Sequence, residues 1–376
     1  MNIEELQSKT LDYIRFPISI GVVFIHNSYG GGFVDMQAID YTSLTSENIY
    51  DLFRVLTKTL ATIATPYFFL ISGYFYFRKT DTFNTSVYLS KTKNRVLTLL
   101  VPYFVWNFLA FFVPLCTSLV KGTYDAYISS FSDIHPLSIF WNYKYFEPFI
   151  DTNIIGQHIF ETAPLNVPLW FLRDLFIISL LSPVVYYFIK YTKIYGVVIL
   201  GLCYLLRLWP TITGFSSIAV FFFSLGAYLG INKQNLVAEA RKHRYAIVII
   251  CIVAVILDTY TMGLPIHVHL IRQVYRFFGL LAVIVLASYL LERGYVKVRA
   301  DRRVAKSSFF IYVAHGVSVL GVTVKVYSYF FQPDSPLLKA VVYMSISVTT
   351  VVVCYFGYVL LKRLLPKTLN IITGHR

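Results

Sequence analysis

Three titratable side chains fall within one apolar run near the start of this 376-residue chain. Asp12, Arg15 and His26 lie in the sequence LDYIRFPISIGVVFIH. At about 100° per residue, the steps from Arg15 to His26 leave roughly 20° of net rotation, so a helix carries both on one face, roughly 16 Å apart along its axis. Ser19 lies between them. The row resembles a lined path, because ionisable groups inside a membrane are costly and usually functional. The structural alternative is an Asp12–Arg15 pair and a packed His26.

The composition indicates that the elements holding this row lie in lipid. Hydrophobic residues make up 57% of the chain and charged residues 14%, whereas a soluble domain carries roughly a quarter charged residues. Disorder and most soluble folds are therefore excluded. The formal net charge is +14, but the basic residues are dispersed between apolar runs, which argues against nucleic acid as a partner.

We predict an all-α polytopic membrane protein with about ten transmembrane helices, because about ten windows hold the roughly 20 mostly apolar residues that a spanning helix needs. These windows lie near residues 11–29, 57–77, 96–120, 168–189, 194–210, 215–231, 245–262, 270–291, 307–330 and 337–361. Residues 1–376 are predicted to form a single domain. The polar stretch at about 121–167 should form an extracytoplasmic loop or a re-entrant cap.

Lysine and arginine concentrate in alternate loops. The loops after the second, fourth, sixth and eighth windows, together with the C-terminal tail, hold most of the 33 basic residues. This pattern predicts that both termini are cytoplasmic and that the helix count is even. The basic clusters could also contact anionic membrane lipids. The first residues carry Glu4 and Glu5 without a clear cleavage site, so we expect the first window to remain as a helix.

Neither the cysteines nor the histidines predict a metal site. The four cysteines lie far apart in apolar segments, which is typical of packing residues: Cys116, Cys203, Cys251 and Cys354. His267 and His269 form an H-x-H pair, which offers too few ligands for a metal without further partners.

The arginine, ten intervening residues and histidine of the first window resemble the signature of the acyltransferase-3 family of integral membrane acyltransferases. Five further motifs follow in the family's order: TPYFFLISGYFYF (65–77), KTKNRVLTLLVPYFVW (91–106), PLWFLRDLF (168–176), FFFSLGAYLG (221–230) and SSFFIYVAH (307–315). The resemblance covers nearly the whole chain. It implies an O-acetyltransferase-like enzyme of the bacterial inner membrane, which transfers acyl groups, most often acetyl, from cytoplasmic acyl-CoA to hydroxyls of envelope glycans.

One departure from the family pattern concerns the beginning of the third window. The family often has an R-x-x-R pair there, whereas Arg95 is followed three residues later by Thr98. Lys91 and Lys93 could supply the missing charge, although lysine offers a point charge where arginine offers a bidentate fork. The resemblance therefore implies an acyl-CoA phosphate site at Lys91, Lys93 and Arg95, with Arg15 contributing from the first window.

Acyl transfer from a thioester to an alcohol needs a base, stabilisation of the tetrahedral oxyanion, and binding of the polyanionic coenzyme. His26 is the candidate base, because a neutral imidazole can accept the hydroxyl proton near pH 7 and return it to the leaving thiolate. Arg15 is placed to bind coenzyme phosphates at the cytoplasmic end. A covalent acyl-histidine is a competing mechanism. The acceptor, the acyl chain length and the oligomeric state stay open.

Two pairs are candidates for auxiliary roles. Ser72 and Tyr74 could be oxyanion or positioning donors, although Ser and Gly in a membrane helix more often serve close packing. Tyr312 and His315 share one face of the ninth window. The resemblance implies that this second pair belongs to the site. The alternative is that the two residues make only a structural hydrogen bond.

The outer half of the predicted bundle carries its own polar set, which consists of Trp170, Arg173, Asp174, Arg207, Arg272, Arg276 and Lys325. We predict an acceptor pocket for a glycan or a lipid-linked sugar, in which Trp170 stacks on a sugar and the arginines hold a phosphate or a carboxylate. The alternative is that these residues snorkel to the interface or pair with Asp174.

Two other classes of function compete with the enzyme. A transporter or exporter of small organic acids would use the polar row as a permeation path, but no internal repeat is evident and few helices look broken. An inactive sensor or scaffold is a third hypothesis. The presence of both Arg15 and His26 argues against it.

Overall fold

The computed structural model describes residues 1–31, 45–146, 153, 155–261, 268–296 and 302–375. His267 of the predicted H-x-H pair lies outside the described residues, as do residues 147–152 and 154 of the predicted cap. Within the described ranges the regular secondary structure is helical apart from one two-stranded antiparallel sheet. This confirms a helical protein with almost no sheet.

The helices, in chain order, are α1 (Ile3–His26), α2 (Ser46–Ala61), α3 (Ala64–Arg78), α4 (Thr85–Arg95), α5 (Val101–Val120), α6 (Tyr124–Ser129), α7 (Ser138–Trp141), α8 (Trp170–Leu180), α9 (Ser182–Leu205), α10 (Ser217–Ile231), α11 (Leu236–Lys242), α12 (Arg244–Tyr260), α13 (Val268–Glu292), α14 (Arg302–Ala314), α15 (Leu320–Phe330), α16 (Pro336–Leu364) and α17 (Pro366–Ile372). Strands β1 (Lys144–Phe146) and β2 (Glu161–Ala163) form the sheet. Two short π-helical segments join helices, at Val96–Leu100 and at His315–Val319.

Six helical stretches of the described chain are long and apolar enough to cross a membrane: Glu47–Arg78, Thr85–Val120, Ser182–Leu205, Leu270–Glu292, Ala305–Phe330 and Pro336–Leu364. Helices α11 and α12, which are bent by 80°, would together give a seventh. These lengths and compositions indicate an integral membrane protein. The count of ten and the cytoplasmic termini stay predictions.

The difference between six and ten has physical reasons in particular helices. Helix α1 has 24 residues, but the stretch that would have to cross the membrane includes three charged residues, Lys9, Asp12 and Arg15. Helix α10 is apolar but has 15 residues, which is roughly 22 Å of helix and shorter than a bilayer core. The fourth predicted window is interrupted at Leu181, between α8 and α9. The predicted boundary between the fourth and fifth windows corresponds to a kink inside α9 at Lys193, where φ is 53°.

Helices α3 and α10 pack against each other through glycines. A Cβ on Gly73 would lie 2.1 Å from the carbonyl oxygen of Phe223, and a Cβ on Gly226 would lie 2.0 Å from that of Leu70. Gly230, four residues after Gly226, approaches the carbonyl oxygen of Tyr74 in the same way. Small residues at this spacing let membrane helices come into backbone contact. The two helices are therefore in close backbone contact, and α1 and α13 pack against α3.

Candidate active site

The first candidate residues, Asp12, Arg15 and His26, all lie on the continuous helix α1. Asn2 caps its first turn by accepting a hydrogen bond from the Glu5 amide. At the other end the buried Asn27 donates to the Tyr343 carbonyl at 3.0 Å and to the Ser347 hydroxyl at 2.9 Å, both on α16. His26, the last residue of α1, is therefore held in place by its neighbour. The sequence interpretation did not identify Asn27.

Arg15 forms an ion pair with Asp12, with 3.0 Å between Nη1 and Oδ1. This is the pair that the structural alternative anticipated. The Arg15 side chain stays 39% exposed, so the pair does not bury it. Arg15 also lies within electrostatic range of Tyr67 on α3. The guanidinium is therefore accessible from outside the bundle, about eleven residues of helix away from His26.

His26 faces His315, with 5.5 Å between the ring centroids and 38° between the ring planes. His315 is 1% exposed, and its Nδ1 lies 3.1 Å from the carbonyl oxygen of Ile311. Because a carbonyl only accepts, Nδ1 carries the hydrogen, and Nε2 of the neutral ring presents a lone pair. Nε2 is buried without a hydrogen-bond partner among the described residues. The pair thus leaves one ring nitrogen available to a substrate.

The helix breaks at His315. Helix α14 ends at Ala314, and the π-helical segment His315–Val319 contains Ser318 in the left-handed region at φ 62°. Strained positions and π segments cluster at functional sites. Gly316 permits a close approach here, because a Cβ on it would lie 2.2 Å from Oδ1 of Asn166. The Tyr312 hydroxyl donates to the carbonyl of Pro168, so Tyr312 joins α14 to the turn before α8.

Lys58 completes the polar group around His26. It lies on α2, is 1% exposed, and is within electrostatic range of His26. A buried lysine inside a membrane segment is a functional-site hypothesis by default. The sequence interpretation included Lys58 in the window 57–77 without identifying it, although that same rule would have found it.

A second basic site lies at the junction of α4 and α5. The Arg95 guanidinium donates to the Ser72 hydroxyl at 3.0 Å and lies 5.3 Å from the centre of the Tyr76 ring. Lys91 donates to the Tyr76 carbonyl and lies 4.7 Å from the same ring. Lys93 is exposed and takes no part in these contacts. Arg95 and Lys91 therefore form a cationic pair around Tyr76, directly before the π-helical segment Val96–Leu100.

The predicted auxiliary pair Ser72 and Tyr74 contacts residues other than His26, namely Arg95, Gln7 and Gln234. Ser72 accepts from Arg95. Tyr74 is buried, accepts from the Gln7 amide at 2.8 Å and donates to the Gln234 carbonyl at 3.1 Å. These contacts join α3 to the end of α4, to α1 and to the turn between α10 and α11.

Arg173 and Asp174 hold the predicted cap. Arg173 donates from Nε to Asp174 at 3.0 Å, from Nη1 to the Trp141 carbonyl, and from Nη2 to the Thr162 carbonyl at 3.0 Å. Asp174 in turn accepts from the Ser216 amide at 3.3 Å. Both side chains are buried. This pairing corresponds to the structural alternative, since each of the three nitrogens of the Arg173 guanidinium already donates to a protein group.

Three further residues of the outer set, Trp170, Arg272 and Arg276, also contact protein groups. Trp170 packs against Phe69 with 6.4 Å between ring centroids. Arg272 pairs with the buried Asp258 at 3.2 Å, and Arg276 donates to Gln273 at 3.2 Å. A cavity of about 580 Å³ lies between α5, α7 and α8 beside Arg173, and neither His26 nor His315 lines it.

A family model described as an acyltransferase domain matches residues 8–359. The chain belongs to the acyltransferase-3 family. The succinoglycan biosynthesis protein ExoH of Rhizobium meliloti (strain 1021) is 25% identical to this acyltransferase over 232 residues, which cover 61% of the chain and 55% of ExoH. The match thus spans about half the length of that curated relative. No solved structure matches the chain.

Membership confirms the resemblance seen in the Arg15–His26 spacing and in the later motifs. The structure also separates two kinds of motif residue in this acyltransferase. Gly73 and Gly226 serve helix packing, whereas His26 and His315 face each other across the bundle, with Nε2 of His315 lacking a hydrogen-bond partner in the described part of the chain. The second kind is where chemistry is expected.

Proposed function

We propose that the protein transfers an acyl group, most simply acetyl, from cytoplasmic acyl-CoA to a hydroxyl of an envelope polysaccharide or its lipid-linked precursor. The supporting observation is the half-buried His26 beside the buried His315 and Lys58 in a chain of the acyltransferase-3 family. The name of the ExoH relative, which refers to succinoglycan biosynthesis, supports a polysaccharide acceptor. The bacterial inner membrane is part of the same proposal, because it separates a cytoplasmic donor from an outer acceptor.

His26 acts as the general base in this mechanism. Its imidazole removes the acceptor's hydroxyl proton while the oxygen attacks the thioester carbonyl, and a C–O bond forms. The tetrahedral intermediate then collapses with cleavage of the C–S bond, and the thiolate takes the proton back from His26. The Lys58 ammonium stabilises the oxyanion, which gains most from a fixed charge in a water-poor site. His315 orients His26 and shares its proton.

Acyl-CoA, the acyl donor, binds through its phosphates towards the end of α1 that is opposite His26. Arg15 is exposed on α1, and Lys91 and Arg95 are pre-positioned by Tyr76, with Lys93 exposed nearby. Arginine favours such phosphate contacts because its donors form a planar fork. The distance from Arg15 to His26, roughly 16 Å along α1, suits an extended pantetheine arm that carries the thioester to the base.

Free-thiol release from acetyl-CoA by the full-length protein in proteoliposomes tests this proposal, with and without crude envelope polysaccharide. We expect polysaccharide-stimulated release by the wild type, and a loss of at least about a hundredfold in His26→Gln. His243→Gln is the matched control, because His243 is exposed in the turn between α11 and α12. Wild-type turnover in His26→Gln would remove the base assignment. Absence of both acetyl-CoA binding and thiol release would contradict the acyltransferase proposal.

A further inference from the structure

One tyrosine of α16 contacts the end of α1 on both sides of His26 in the sequence. The Tyr343 hydroxyl donates to the Phe24 carbonyl at 3.1 Å, and the Tyr343 carbonyl accepts from the Asn27 side chain at 3.0 Å. The rings of Phe24 and Tyr343 also pack together, with 5.9 Å between their centroids. Tyr343 is fully buried. The residues two before and one after His26 are thus held by a single residue from a distant part of the chain.

The last turn of α1 depends on such contacts more than its middle does. The last four carbonyl groups of a helix have no amide partner in a following turn. The Phe24 carbonyl is one of these four, because α1 ends at His26. Besides the Tyr343 hydroxyl, it accepts from the Asn27 amide at 3.3 Å, which is a longer and weaker bond. The Tyr343 hydroxyl therefore takes the place of the missing amide and keeps the turn that carries His26 from fraying.

Asn27 is held by a second residue of α16. Its side chain donates to the Ser347 hydroxyl at 2.9 Å, and the Ser347 hydroxyl donates in turn to the Tyr343 carbonyl at 3.4 Å. All three residues are buried. Residues 343 and 347 are one turn apart, so they lie on the same face of α16. Because a buried amide that loses its partner carries a desolvation cost, this network fixes α16 relative to the residue that follows His26.

Helix α2 reaches the same tyrosine from another side. The Thr57 hydroxyl lies 3.5 Å from the Tyr343 hydroxyl, and Phe53, one turn earlier, packs edge-on against the Tyr343 ring with 6.1 Å between centroids. Lys58 follows Thr57 directly and is within electrostatic range of His26. Tyr343 therefore contacts both the helix that carries the proposed base and the helix that carries the proposed oxyanion-stabilising cation.

Helix α2 also holds the turn that follows α1. The buried Arg54 donates to the carbonyl of Gly30 and, at 3.2 Å, to that of Gly31, and the Tyr50 hydroxyl donates to the Tyr29 carbonyl at 3.1 Å. Glycine is required in this turn, because φ is 76° at Gly30 and a Cβ there would lie 2.8 Å from Nη1 of Arg54. The chain that leaves α1 is thus fixed by α2, while the helix end itself is fixed by α16.

We propose that Tyr343 is a positioning residue for acyl transfer, which holds the His26 ring where the reaction requires it, beside His315 and Lys58. This inference rests on the proposed function, because it gives Tyr343 a role in that reaction. Tyr343 acts through His26 and not by contact with a substrate. A displacement of about 1 Å can cost about a hundredfold in rate, so a small shift of the helix end lowers kcat. The proposed coenzyme site lies towards the other end of α1, so binding of the donor should be preserved.

Kinetics of the full-length protein in proteoliposomes test the inference, with thiol release from acetyl-CoA measured in the presence of crude envelope polysaccharide. Tyr343→Phe removes the hydroxyl and keeps the ring and the backbone carbonyl. Ser347→Ala removes one acceptor of Asn27 and serves as the second variant if the first does not fold. Tyr358→Phe is the matched control, because Tyr358 is also buried on α16 but lies roughly 22 Å further along the helix.

We expect kcat to fall about tenfold in Tyr343→Phe and by less in Ser347→Ala, with KM for acetyl-CoA within about twofold of the wild-type value. Tyr358→Phe should keep wild-type constants. A loss of folding alone would lower the amount of active protein in every assay, whereas a positioning role lowers kcat in protein that still binds the donor. Wild-type kcat in Tyr343→Phe, or a rise in KM without a fall in kcat, would overturn the inference.

Chemical modification of His26 gives a readout that does not depend on turnover. Diethyl pyrocarbonate transfers an ethoxycarbonyl group to a neutral imidazole, and mass spectrometry identifies the modified histidine. A helix end that opens more often exposes the ring more often, so His26 should react at least about threefold faster in Tyr343→Phe. The rate should stay unchanged in Tyr358→Phe, and the exposed His243 should react equally in all variants.

The two readouts separate the inference from the proposed function. Faster modification of His26 in Tyr343→Phe, in a protein whose wild type releases no thiol with polysaccharide, would count against the proposed function alone. Normal thiol release by the wild type, with an unchanged rate of His26 modification in Tyr343→Phe, would count against the positioning role alone.

Discussion

The imidazoles of His26 and His315 lie 5.5 Å apart, although the residues come from the two ends of the sequence. His315 uses Nδ1 on the Ile311 carbonyl, and its other ring nitrogen has no hydrogen-bond partner among the described residues. The imidazoles cannot be assigned independent roles, because a proton on one ring affects the other. The pair is the smallest unit of this site for which kinetics can be interpreted.

Replacement of His315 by Asn should distinguish the roles of its two ring nitrogens. The asparagine amide can still donate to the Ile311 carbonyl, but it lacks the ring lone pair at the position of Nε2. We expect a decrease in kcat of about 10- to 100-fold with a nearly unchanged KM for acetyl-CoA. In a double-mutant cycle with His26→Gln the two losses should be strongly non-additive. Additive losses would contradict a shared role.

Lys58→Met tests oxyanion stabilisation. Methionine keeps the length of the buried side chain but removes its charge, so we expect kcat to fall about a hundredfold while acetyl-CoA binding persists. Lys190→Met is the matched control, since Lys190 is exposed on α9. Stopped-assay turnover and equilibrium binding are measured on the same preparations. A loss of donor binding with normal kcat would instead assign Lys58 to the coenzyme.

Arg95 and Lys93 differ in a way that donor kinetics should reveal. Arg95 is fixed by Ser72 and Tyr76, whereas Lys93 is exposed. Arg95→Ala should raise KM for acetyl-CoA about tenfold, because an ordered guanidinium loses less entropy on binding a phosphate. Lys93→Ala should have a smaller effect. Equal effects of the two substitutions would show that only net charge matters at this site.

Gly226→Ala should destabilise the helix pair α3–α10. The added Cβ would lie 2.0 Å from the Leu70 carbonyl oxygen, and overpacking of this kind costs about 1–3 kcal/mol. The measurement is thermal unfolding of the detergent-solubilised protein. Gly321→Ala is the control, because a Cβ at Gly321 meets no atom within 4 Å. If the two variants unfolded at the same temperature, close contact between α3 and α10 would be wrong.

Part of this architecture follows directly from the sequence. The rotation per residue predicted that Arg15 and His26 lie on one face of a single helix, and α1 is continuous from Ile3 to His26. Apolar windows indicated where most long helices lie. The interruptions at Leu181 and Ser318 could not be predicted in the same way, because both positions carry apolar surroundings and depend on the neighbours that satisfy the freed backbone groups.

The site itself was less predictable, for a reason that applies to spacing in general. Spacing shows which residues share a face, but not which helix that face meets. His26 faces His315 and lies within electrostatic range of Lys58, and no local pattern joins residues so far apart in sequence. Arg173 shows the converse, since its type and position indicated a ligand, whereas each of its three guanidinium nitrogens donates to the backbone of the cap or to Asp174.

The π-helical segment Val96–Leu100 has a consequence for how relatives of this protein are compared. A π segment holds one residue more than an α-helix of the same number of turns. Deleting one residue there would rotate Arg95 by about 100° relative to everything after it and remove the guanidinium from Tyr76. A relative without that extra residue should therefore show a one-position gap between Arg95 and α5. In such a relative an arginine beside Tyr76 has to come from a different place in the helix.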